Sequence, residues 1–231
     1  MTQNSFYPDI NLTDLMSAGV HYGHQTHRWN SKMNEYIYTQ KKGIHILDLI
    51  QTIKFLKKAC NFAFEASKQK KTFLFVGTKY QASHLISKYA QKSNSYYISN
   101  RWLGGMLTNW STIQARINRL ILLEEKYNNN EFDNLPKKEA ALLMRQLQVL
   151  QKNLGGVKLM TKLPDVIIVV DQNRESIAIA ESRKLNIPII SLVDTNCDPE
   201  LSDYPIPAND DAVSSIQYVL SKLSDAINTG K

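Results

Sequence analysis

The feature that most constrains the fold is a set of short runs in which nearly every side chain is apolar. Val166-Ile167-Ile168-Val169-Val170 is apolar throughout, and Thr72–Val76 and Ile187–Val193 are close to it. A strand that is apolar at every position is buried on both faces, as in a parallel sheet covered by helices on both sides. Helical patterns alternate with these runs along the chain. The sequence therefore predicts an α/β fold with a parallel sheet flanked by helices, Rossmann- or flavodoxin-like in kind.

A long helical hairpin interrupts this alternation. Apolar residues recur with heptad-like spacing on both sides of a polar loop over 128–136: Trp110, Ile113, Ile117, Leu120 and Tyr127 before it, and Leu143, Leu147, Leu150 and Leu154 after it. Two such seams joined by a polar turn predict an antiparallel coiled coil. Helices of about 18 residues would reach roughly 27 Å. We therefore predict an α/β body over 1–106 and 155–231, with a coiled-coil arm over 107–154 inserted in it.

The remaining elements are shorter. Caps and brief apolar runs predict a helix at 11–16, strands at 36–38, 44–47 and 96–98, a helix that begins after Asp48, and a last helix from Val213. Two segments have no clean period. Residues 21–32 are polar, aromatic and basic, and residues 194–211 contain three prolines, so both are predicted to be loops.

Composition limits the classes of function. The chain has 231 residues, a net charge of +7 and a pI near 9.2, which favour a polyanionic partner, although solubility alone would also account for the charge. Cys60 and Cys197 form no CxxC pair, so we expect neither a disulfide nor a cysteine-ligated zinc site, and two free thiols fit a reducing compartment. We expect no membrane partner, because no apolar run approaches about 18 residues. Met1–Asn11 resembles no targeting sequence, so the protein is expected to work where it is made.

A parallel α/β sheet also suits a nucleotide-binding enzyme. The sequence contains no G-x-G-x-x-G, no G-x-x-x-x-G-K-[ST] and no G-x-S-x-G. Val76-Gly77-Thr78-Lys79 matches a fragment of a phosphate loop but is too short to cradle two phosphates. We therefore predict no catalytic residue, no cofactor and no small-molecule substrate, and keep the nucleotide-binding enzyme as the alternative function.

Two groups of side chains have the chemistry of metal ligands. The first is a trio spaced three residues apart: His21, His24 and His27. Gly23 argues against a rigid helix there, and hydrogen bonding by a polar loop is the favoured interpretation, although a metal stays open. The second is a group of five aspartates: Asp194, Asp198, Asp203, Asp210 and Asp211. They suit Mg²⁺, but loop aspartates more often form turns and helix caps, so we assign no metal ligand.

Basic residues alternate with aromatic residues in three segments, 22–32, 38–42 and 101–110. Lys and Arg neutralise phosphates, whereas Trp, Tyr and His stack on unpaired bases. These segments supply the predicted nucleic-acid-binding residues: Arg28, Trp29, Asn30, Lys32, Lys41, Lys42, Arg101, Trp102 and Asn109. Core packing is the alternative for each aromatic ring. For Trp102 we give core packing the same weight as RNA contact, because the ring could anchor the turn at Gly104-Gly105.

Motifs along nearly the whole chain resemble the second small-subunit ribosomal protein family in its bacterial and plastid form. They are AGVHYGHQTHRWNSKM at 18–33, KKGIHILDL at 41–49, FLFVGTK at 73–79, RWLGGMLTNW at 101–110, LGGVKLMTKLPD at 154–165 and VDTNCDPELSDYPIPANDDA at 193–212. The resemblance implies an α/β body with a coiled-coil hairpin and no catalysis. It also implies binding to small-subunit ribosomal RNA and to neighbouring ribosomal proteins, including the first small-subunit protein.

Two positions depart from the usual bacterial pattern of this family. Ala208 stands where bacterial members usually have Gly, and Ser214 stands where they usually have Arg. The missing Arg puts in doubt a phosphate or partner contact at the start of the last helix. Both changes resemble plastid members, and the abundance of Lys, Asn and Ile indicates an A/T-rich genome. We therefore expect a ribosome-bound protein of the plastid (the chloroplast stroma), with the bacterial cytoplasm as the alternative.

Overall fold

The computed structural model describes residues 8–231, in which the strands form two sheets. The strands are β1 (Tyr22–Gln25), β2 (Ile37–Lys41), β3 (Ile44–Leu47), β4 (Phe73–Val76), β5 (Tyr96–Ile98), β6 (Val166–Val170), β7 (Ile189–Val193) and β8 (Tyr204–Pro207). The larger sheet has the order β5-β4-β6-β7-β8 and is parallel throughout. The smaller sheet is antiparallel, with the order β1-β3-β2.

Helices cover both faces of the larger sheet. They are α1 (Leu12–Ser17), α2 (Leu49–Lys68), α3 (Tyr80–Lys92), α4 (Trp110–Asn128), α5 (Lys137–Leu154), α6 (Ser176–Lys184) and α7 (Val213–Thr229). One apolar cluster joins the sheet to α2, α3 and α7, and a second joins its other face to α4, α5 and α6. The predicted N-cap of α2 is confirmed, because the side chain of Asp48 accepts a hydrogen bond from the backbone N–H of Ile50 at 2.9 Å.

Alternate residues of each central strand enter opposite apolar clusters. Phe73 and Phe75 of β4 pack under α2, α3 and α7, whereas Leu74 and Val76 pack under the other layer. All five residues of β6 are buried. The prediction of a parallel α/β sheet with apolar strands buried on both faces is confirmed.

The sequence-based prediction of a loop over 194–211 is wrong in part, because β8 lies inside it. Pro205 pairs with Ser191 and Pro207 with Val193 in parallel register. A proline has no N–H to donate, so it is tolerated in a strand that is paired on one side. β8 is such an edge strand, and its two prolines concealed it from a reading based on strand propensity.

The predicted loop over 21–32 also contains regular structure, namely β1 and the 3₁₀ turns Thr26–Arg28 and Ser31–Tyr36. A Cβ at Gly23 would lie 2.5 Å from the Thr195 side chain, so only glycine fits where β1 presses against the segment after β7. The backbone N–H of His24 donates to Thr195 Oγ1 at 2.9 Å. Contacts with a residue more than 170 positions away therefore order this segment.

The predicted helical hairpin consists of α4 and α5, joined through the 3₁₀ turn Glu131–Asn134. Its buried seam continues into the apolar cluster beneath the sheet and includes Ile113, Ile117, Leu120, Leu123, Phe132, Leu147 and Leu154. Leu143 and Leu150 are half-buried against the same cluster. The interdigitated packing of a coiled coil and the boundaries 107–154 stay predictions.

Two expectations concern membranes and targeting. None of the helices in the described part of the chain combines the length and apolarity needed to cross a bilayer. Most of Met1–Asn11 lies outside the described residues.

Leu147→Ala should lower the free energy of unfolding by about 2–5 kcal/mol, because it deletes a side chain buried in the hairpin seam. Leu142→Ala is the matched control on the same helix, since Leu142 is 67% exposed. Urea denaturation of both variants measures the difference. Equal losses would contradict the assignment of Leu147 to a packed seam.

Candidate nucleic-acid interface

Both predicted tryptophan-containing segments lie at the carboxyl-terminal edge of the parallel sheet. Arg101 follows the end of β5, and the backbone N–H of Asn30 donates to the carbonyl of Thr195, just after β7. Strands of a parallel sheet all end at one edge, so the segments share it. β4 and β6 separate β5 from β7, which corresponds to about 14 Å. The structure thus brings the two segments to the same edge but not into one patch.

The segment around Trp102 is held from behind by one carboxylate, that of Glu181 on α6. Oε1 accepts from the indole N–H of Trp102 at 3.1 Å and from the backbone N–H of Gly105 at 2.8 Å. Oε2 accepts from the backbone N–H groups of Leu107 and Thr108, at 2.9 and 3.0 Å, and from the Thr108 hydroxyl at 3.1 Å. Burial opposes ionisation, but these hydrogen bonds outweigh it and lower the pKa of Glu181 below its ordinary value.

Two roles were predicted for Trp102, stacking on a base and anchoring the turn at Gly104-Gly105, and the structure favours the second. Its side chain belongs to the apolar cluster beneath the sheet, and the residue is only 8% exposed, which leaves little ring surface for a base. Gly105 adopts φ +83°, a backbone conformation that glycine reaches without the steric cost of a Cβ. Arg101 and Asn109 are exposed, although Asn109 Oδ1 already accepts from the Thr112 hydroxyl at 2.9 Å.

In the second segment the exposed ring is that of Trp29. It is 40% exposed and lies against His45, with ring centroids 5.3 Å apart. Arg28, next to it, is exposed as well. Asn30 is a structural residue, because its side chain accepts from the backbone N–H of Lys32 at 3.0 Å and begins the 3₁₀ turn that follows.

Lys32 is already engaged in ion pairs. Its ammonium lies 2.8 Å from Asp198 and 2.5 Å from Glu200, and these carboxylates raise its pKa. A phosphate would have to compete with two carboxylates for this cation. The predicted phosphate contact of Lys32 therefore has less support than those of Arg28 and Arg101.

Lys41 and Lys42 lie at the tip of the β2–β3 hairpin, and both are exposed. Lys42 and Gly43 both have positive φ, +52° and +76°, as in the two-residue turns that match the twist of a hairpin. A lysine in this conformation is uncommon. The turn holds two cations at a fixed, solvent-facing position.

A buried polar centre lies between these segments along the same edge, around Lys79. Its ammonium is 2.6 Å from Asp210, 2.7 Å from Asp211 and 3.2 Å from Asp171. Burial opposes protonation, but the hydrogen bonds that Lys79 donates to Asp210 and Asp211 raise its pKa. Burial, together with Asp194 and Asp171, raises the pKa of Asp210 to about 7.

The three histidines of the predicted loop do not converge. His24 points at the carboxylates, with Nδ1 3.1 Å from Asp194 Oδ2 and Nε2 3.4 Å from Asp211 Oδ2. Asp194 foremost raises the pKa of His24, against the effect of burial. Burial lowers the pKa of His21, and His27 is exposed. This geometry therefore does not support a metal ion bound by all three histidines.

The fragment Val76–Lys79 is not arranged to bind a phosphate. In doubly wound sheets, ligands bind at the carboxyl edge and phosphates at helix N-termini. Here the backbone N–H of Thr78 donates to the buried carboxylate of Glu175 at 2.7 Å, and Lys79 is paired with aspartates. Carboxylates thus occupy the places of a nucleotide's phosphates.

Sequence reasoning missed Glu181 as an anchor and Lys79 as the centre of an ion cluster. Each pairs with residues far away in the chain, 73 to 79 positions for Glu181 and 131 for Lys79 with Asp210. The side chain of Asn209 forms a turn before α7 by accepting from the backbone N–H groups of Asp211 and Ala212, whereas Ala212, the N-cap residue of α7, provides no side-chain cap. Ser214, which replaces the usual Arg, donates to the carbonyl of Ala18 at 2.7 Å.

Glu181→Gln should lower the free energy of unfolding at pH 7 by at least about 1.5–3 kcal/mol, because hydrogen bonds to a charged group are lost. The folded-state pKa of Glu181 is lowered, so its contribution is fully present above the unfolded value near 4.5 and is lost as the pH falls through the folded pKa. Denaturation at pH 7 and pH 3 should therefore show a smaller difference from wild type at pH 3. The exposed Glu125→Gln is the control, and a pH-independent difference would contradict this account.

Comparisons with known proteins cover the body and the hairpin alike. The family model described as Ribosomal protein S2 matches residues 15–230. The small ribosomal subunit protein uS2c of Mesostigma viride is 58% identical over 222 residues, which is 96% of this chain and 97% of that protein. The uS2c of Rhodomonas salina is 55% identical over 221 residues, 96% and 91% of the two chains. The uS2 of Nostoc punctiforme is 53% identical over 224 residues, 97% and 85% of the two chains.

The expected family is confirmed by this near full-length similarity. The family is one of structural ribosomal proteins and not of enzymes, so the alternative of a nucleotide-binding enzyme is set aside. The absent phosphate motifs and the carboxylates around Thr78 and Lys79 agree with that outcome. Because the family model matches residues 15–230 and relatives share more than half of their residues with it over nearly the whole chain, this chain belongs to the ribosomal protein S2 family.

Proposed function

We propose that this chain is a structural component of the small ribosomal subunit that binds small-subunit ribosomal RNA through the carboxyl edge of its sheet and the β2–β3 hairpin. The observation that carries the proposal is the identity of 53–58% to small-subunit proteins over 96–97% of the chain. The net charge of +7 supports a polyanionic partner.

The proposed contacts divide by accessibility. Arg28, Arg101, Lys41 and Lys42 are exposed cations outside the ion pairs described above, so they are the proposed phosphate ligands. Trp29 is the proposed stacking ring. The side chains of the remaining predicted residues are engaged within the protein, Trp102 by burial, Asn30 and Asn109 by hydrogen bonds, and Lys32 by ion pairs.

The helical hairpin of α4 and α5 is the part of the chain that we propose contacts neighbouring proteins. We propose that residues 107–154 form an antiparallel coiled-coil arm on the α/β body. Its outer face carries exposed apolar side chains, among them Leu122, Leu142 and Val149. Such side chains suit contact with neighbouring ribosomal proteins, and the first small-subunit protein is the partner that the family resemblance implies.

The proposed location is the plastid stroma, bound to the ribosome. The uS2c relatives, the A/T-rich composition and the family departures at Ala208 and Ser214 support it. Cyanobacterial uS2 relatives at 53–54% identity keep the bacterial cytoplasm as the alternative. Transcript mapping to plastid or bacterial DNA separates the two.

The tagged protein should migrate with small subunits in a sucrose gradient of native lysate, because a structural component stays assembled. Lowering Mg²⁺ to separate the subunits should move it entirely to the small-subunit peak. Migration as a free protein with saturable nucleotide binding is the outcome that contradicts the proposal.

Arg101→Ala should weaken binding to small-subunit RNA while leaving the unfolding temperature near that of wild type, since Arg101 is exposed. Each lost phosphate contact should reduce the slope of log K against log salt by about one unit. Trp102→Ala is the matched neighbour, which should destabilise the fold because the indole is buried. If Arg101→Ala unfolds the protein and leaves the salt slope unchanged, Arg101 is a structural residue and its proposed role as a phosphate ligand is wrong.

Trp29→Ala should cost about 1–3 kcal/mol of RNA affinity if the exposed ring stacks on a base. Unlike a lost phosphate contact, this loss should be nearly independent of salt, because stacking releases no counterion. Fluorescence quenching of Trp29 in a variant in which Trp102 and Trp110 are replaced by Phe provides a direct measurement. A loss that disappears at high salt would assign the effect to Arg28 instead.

A further inference from the structure

Three side chains from distant parts of the chain converge at the carboxyl edge of the sheet. They are His24 of β1, Asp194 after β7 and Asp210 before α7, and one potential ligand atom of each lies within 4.8 Å of the others. The side chains of Asp194 and Asp210 are 1% exposed, and that of His24 is 15% exposed. The fold itself, not a local acidic run, assembles this group.

Two atoms in this group are buried and have no hydrogen-bond partner, namely His24 Nδ1 and Asp210 Oδ2. His24 Nδ1 lies 3.1 Å from Asp194 Oδ2 but without the geometry of a hydrogen bond. Burying a carboxylate oxygen without a partner is costly. A metal cation is a partner that a carboxylate oxygen and an imidazole nitrogen can share.

The other polar atom of each side chain is held in place. His24 Nε2 lies 3.4 Å from Asp211 Oδ2, and Asp210 Oδ1 accepts from the Lys79 ammonium at 2.6 Å. Asp194 Oδ1 accepts from the backbone N–H of the next residue at 2.5 Å. Metal-bound histidines usually donate their second N–H to a carboxylate, and metal-bound carboxylates are themselves hydrogen-bonded. The surroundings of all three side chains follow this pattern.

The local charge also calls for a cation. Four carboxylates contact the Lys79 ammonium or the His24 imidazole: Asp171, Asp194, Asp210 and Asp211. Protons on His24 and Asp210 offset part of the negative charge when no cation is bound. In the deprotonated state that binds a cation, with a neutral imidazole and four ionised carboxylates, one ammonium against four anions leaves a net charge of −3. A divalent cation would reduce this to −1 and remove most of the repulsion between buried anions.

We propose that His24, Asp194 and Asp210 bind one divalent first-row transition-metal ion, with Zn²⁺ as the best fit. Imidazole ligands favour such ions, whereas all-oxygen sites favour Mg²⁺ and Ca²⁺. Zinc bonds of about 2.0–2.2 Å place tetrahedral ligand atoms about 3.3–3.6 Å apart, so atoms that lie within 4.8 Å of one another would have to approach by at most about 1.5 Å on binding. A water molecule would complete the coordination.

A metal ion bound by these three side chains would link β1 to the larger sheet. β1 pairs with β3, and β3 pairs with the hairpin strand that leads to Lys41 and Lys42. An ion at His24 would fix this small sheet relative to the body. The site does not rest on the proposed RNA contacts, since metal binding is measured on the purified protein.

The test is calorimetric titration of the full-length protein with Zn²⁺ after removal of metal by a chelator. We expect one ion per chain, a rise in the unfolding temperature with Zn²⁺, and Mg²⁺ binding at least about tenfold weaker. Absence of stoichiometric Zn²⁺ binding would overturn the proposal and would leave a protonated His24 as the partner of the aspartates.

Variants identify the ligands. His24→Gln and Asp210→Asn should each abolish stoichiometric binding and the metal-induced rise in unfolding temperature. Asp211→Asn should weaken binding by about 10–100-fold, because it orients the imidazole without contacting the ion. The matched controls are His27→Gln and Asp225→Asn, which replace side chains outside the group. Wild-type affinity in His24→Gln or Asp210→Asn would overturn the assignment.

Anomalous diffraction at the zinc edge from wild-type crystals keeps the test decisive if a variant fails to fold. A peak between His24, Asp194 and Asp210 supports the proposal. A fully occupied peak elsewhere, with none at this group, contradicts it.

Discussion

Burial of the parallel sheet on both faces is the constraint on which the rest of the molecule depends. Strands such as β6 expose neither face, so two helical layers have to cover the sheet, and none of its five strands contains a charged residue. Backbone polar groups at the strand ends still need partners. The carboxyl edge consequently collects the charged residues, including Lys79, Asp194, Asp210 and the loops that carry Arg28 and Arg101. The same packing that makes the core apolar therefore creates the polar surface.

The carboxyl edge also explains why an α/β sheet of this kind is no nucleotide enzyme. Doubly wound sheets bind phosphates where backbone N–H groups and a lysine are free at this edge. Here Glu175 takes the N–H of Thr78, Glu181 takes three N–H groups of the β5–α4 loop, and aspartates surround Lys79. The chain's own carboxylates thus fill the positions of an anionic ligand. A fold permits a function, but the side chains at its edge decide it.

Local patterns in the sequence predict most of the fold, but they predict fewer of the contacts at the carboxyl edge of the sheet. The apolar strands, the amphipathic helices and the Asp48 cap have periods or residues that act over a few positions, so they were predictable. β8 was missed because its prolines oppose strand propensity. β1 was missed because its position depends on the close contact between Gly23 and Thr195, which are far apart in the sequence. The pairs of Glu181 with Trp102 and of Lys79 with Asp210 depend on tertiary folding. Sequence alone assigned these residues to separate patterns, because nothing local connects them.

Two different devices fix the exposed cations of this ribosomal protein. At Arg101 the buried carboxylate of Glu181 orders the loop, because it accepts from the indole of the neighbouring Trp102 and from three backbone N–H groups. Arg101 itself stays exposed to solvent. At the β2–β3 hairpin a backbone turn is the device, since Lys42 and Gly43 at positive φ set the direction of the tip. In both, the backbone below the cation is ordered before any partner arrives, so association does not have to order it. Long basic side chains still lose rotamer freedom on binding, but the loops that carry them do not have to fold again. Rigid presentation of this kind suits a structural protein, whose partners have to meet it in one geometry.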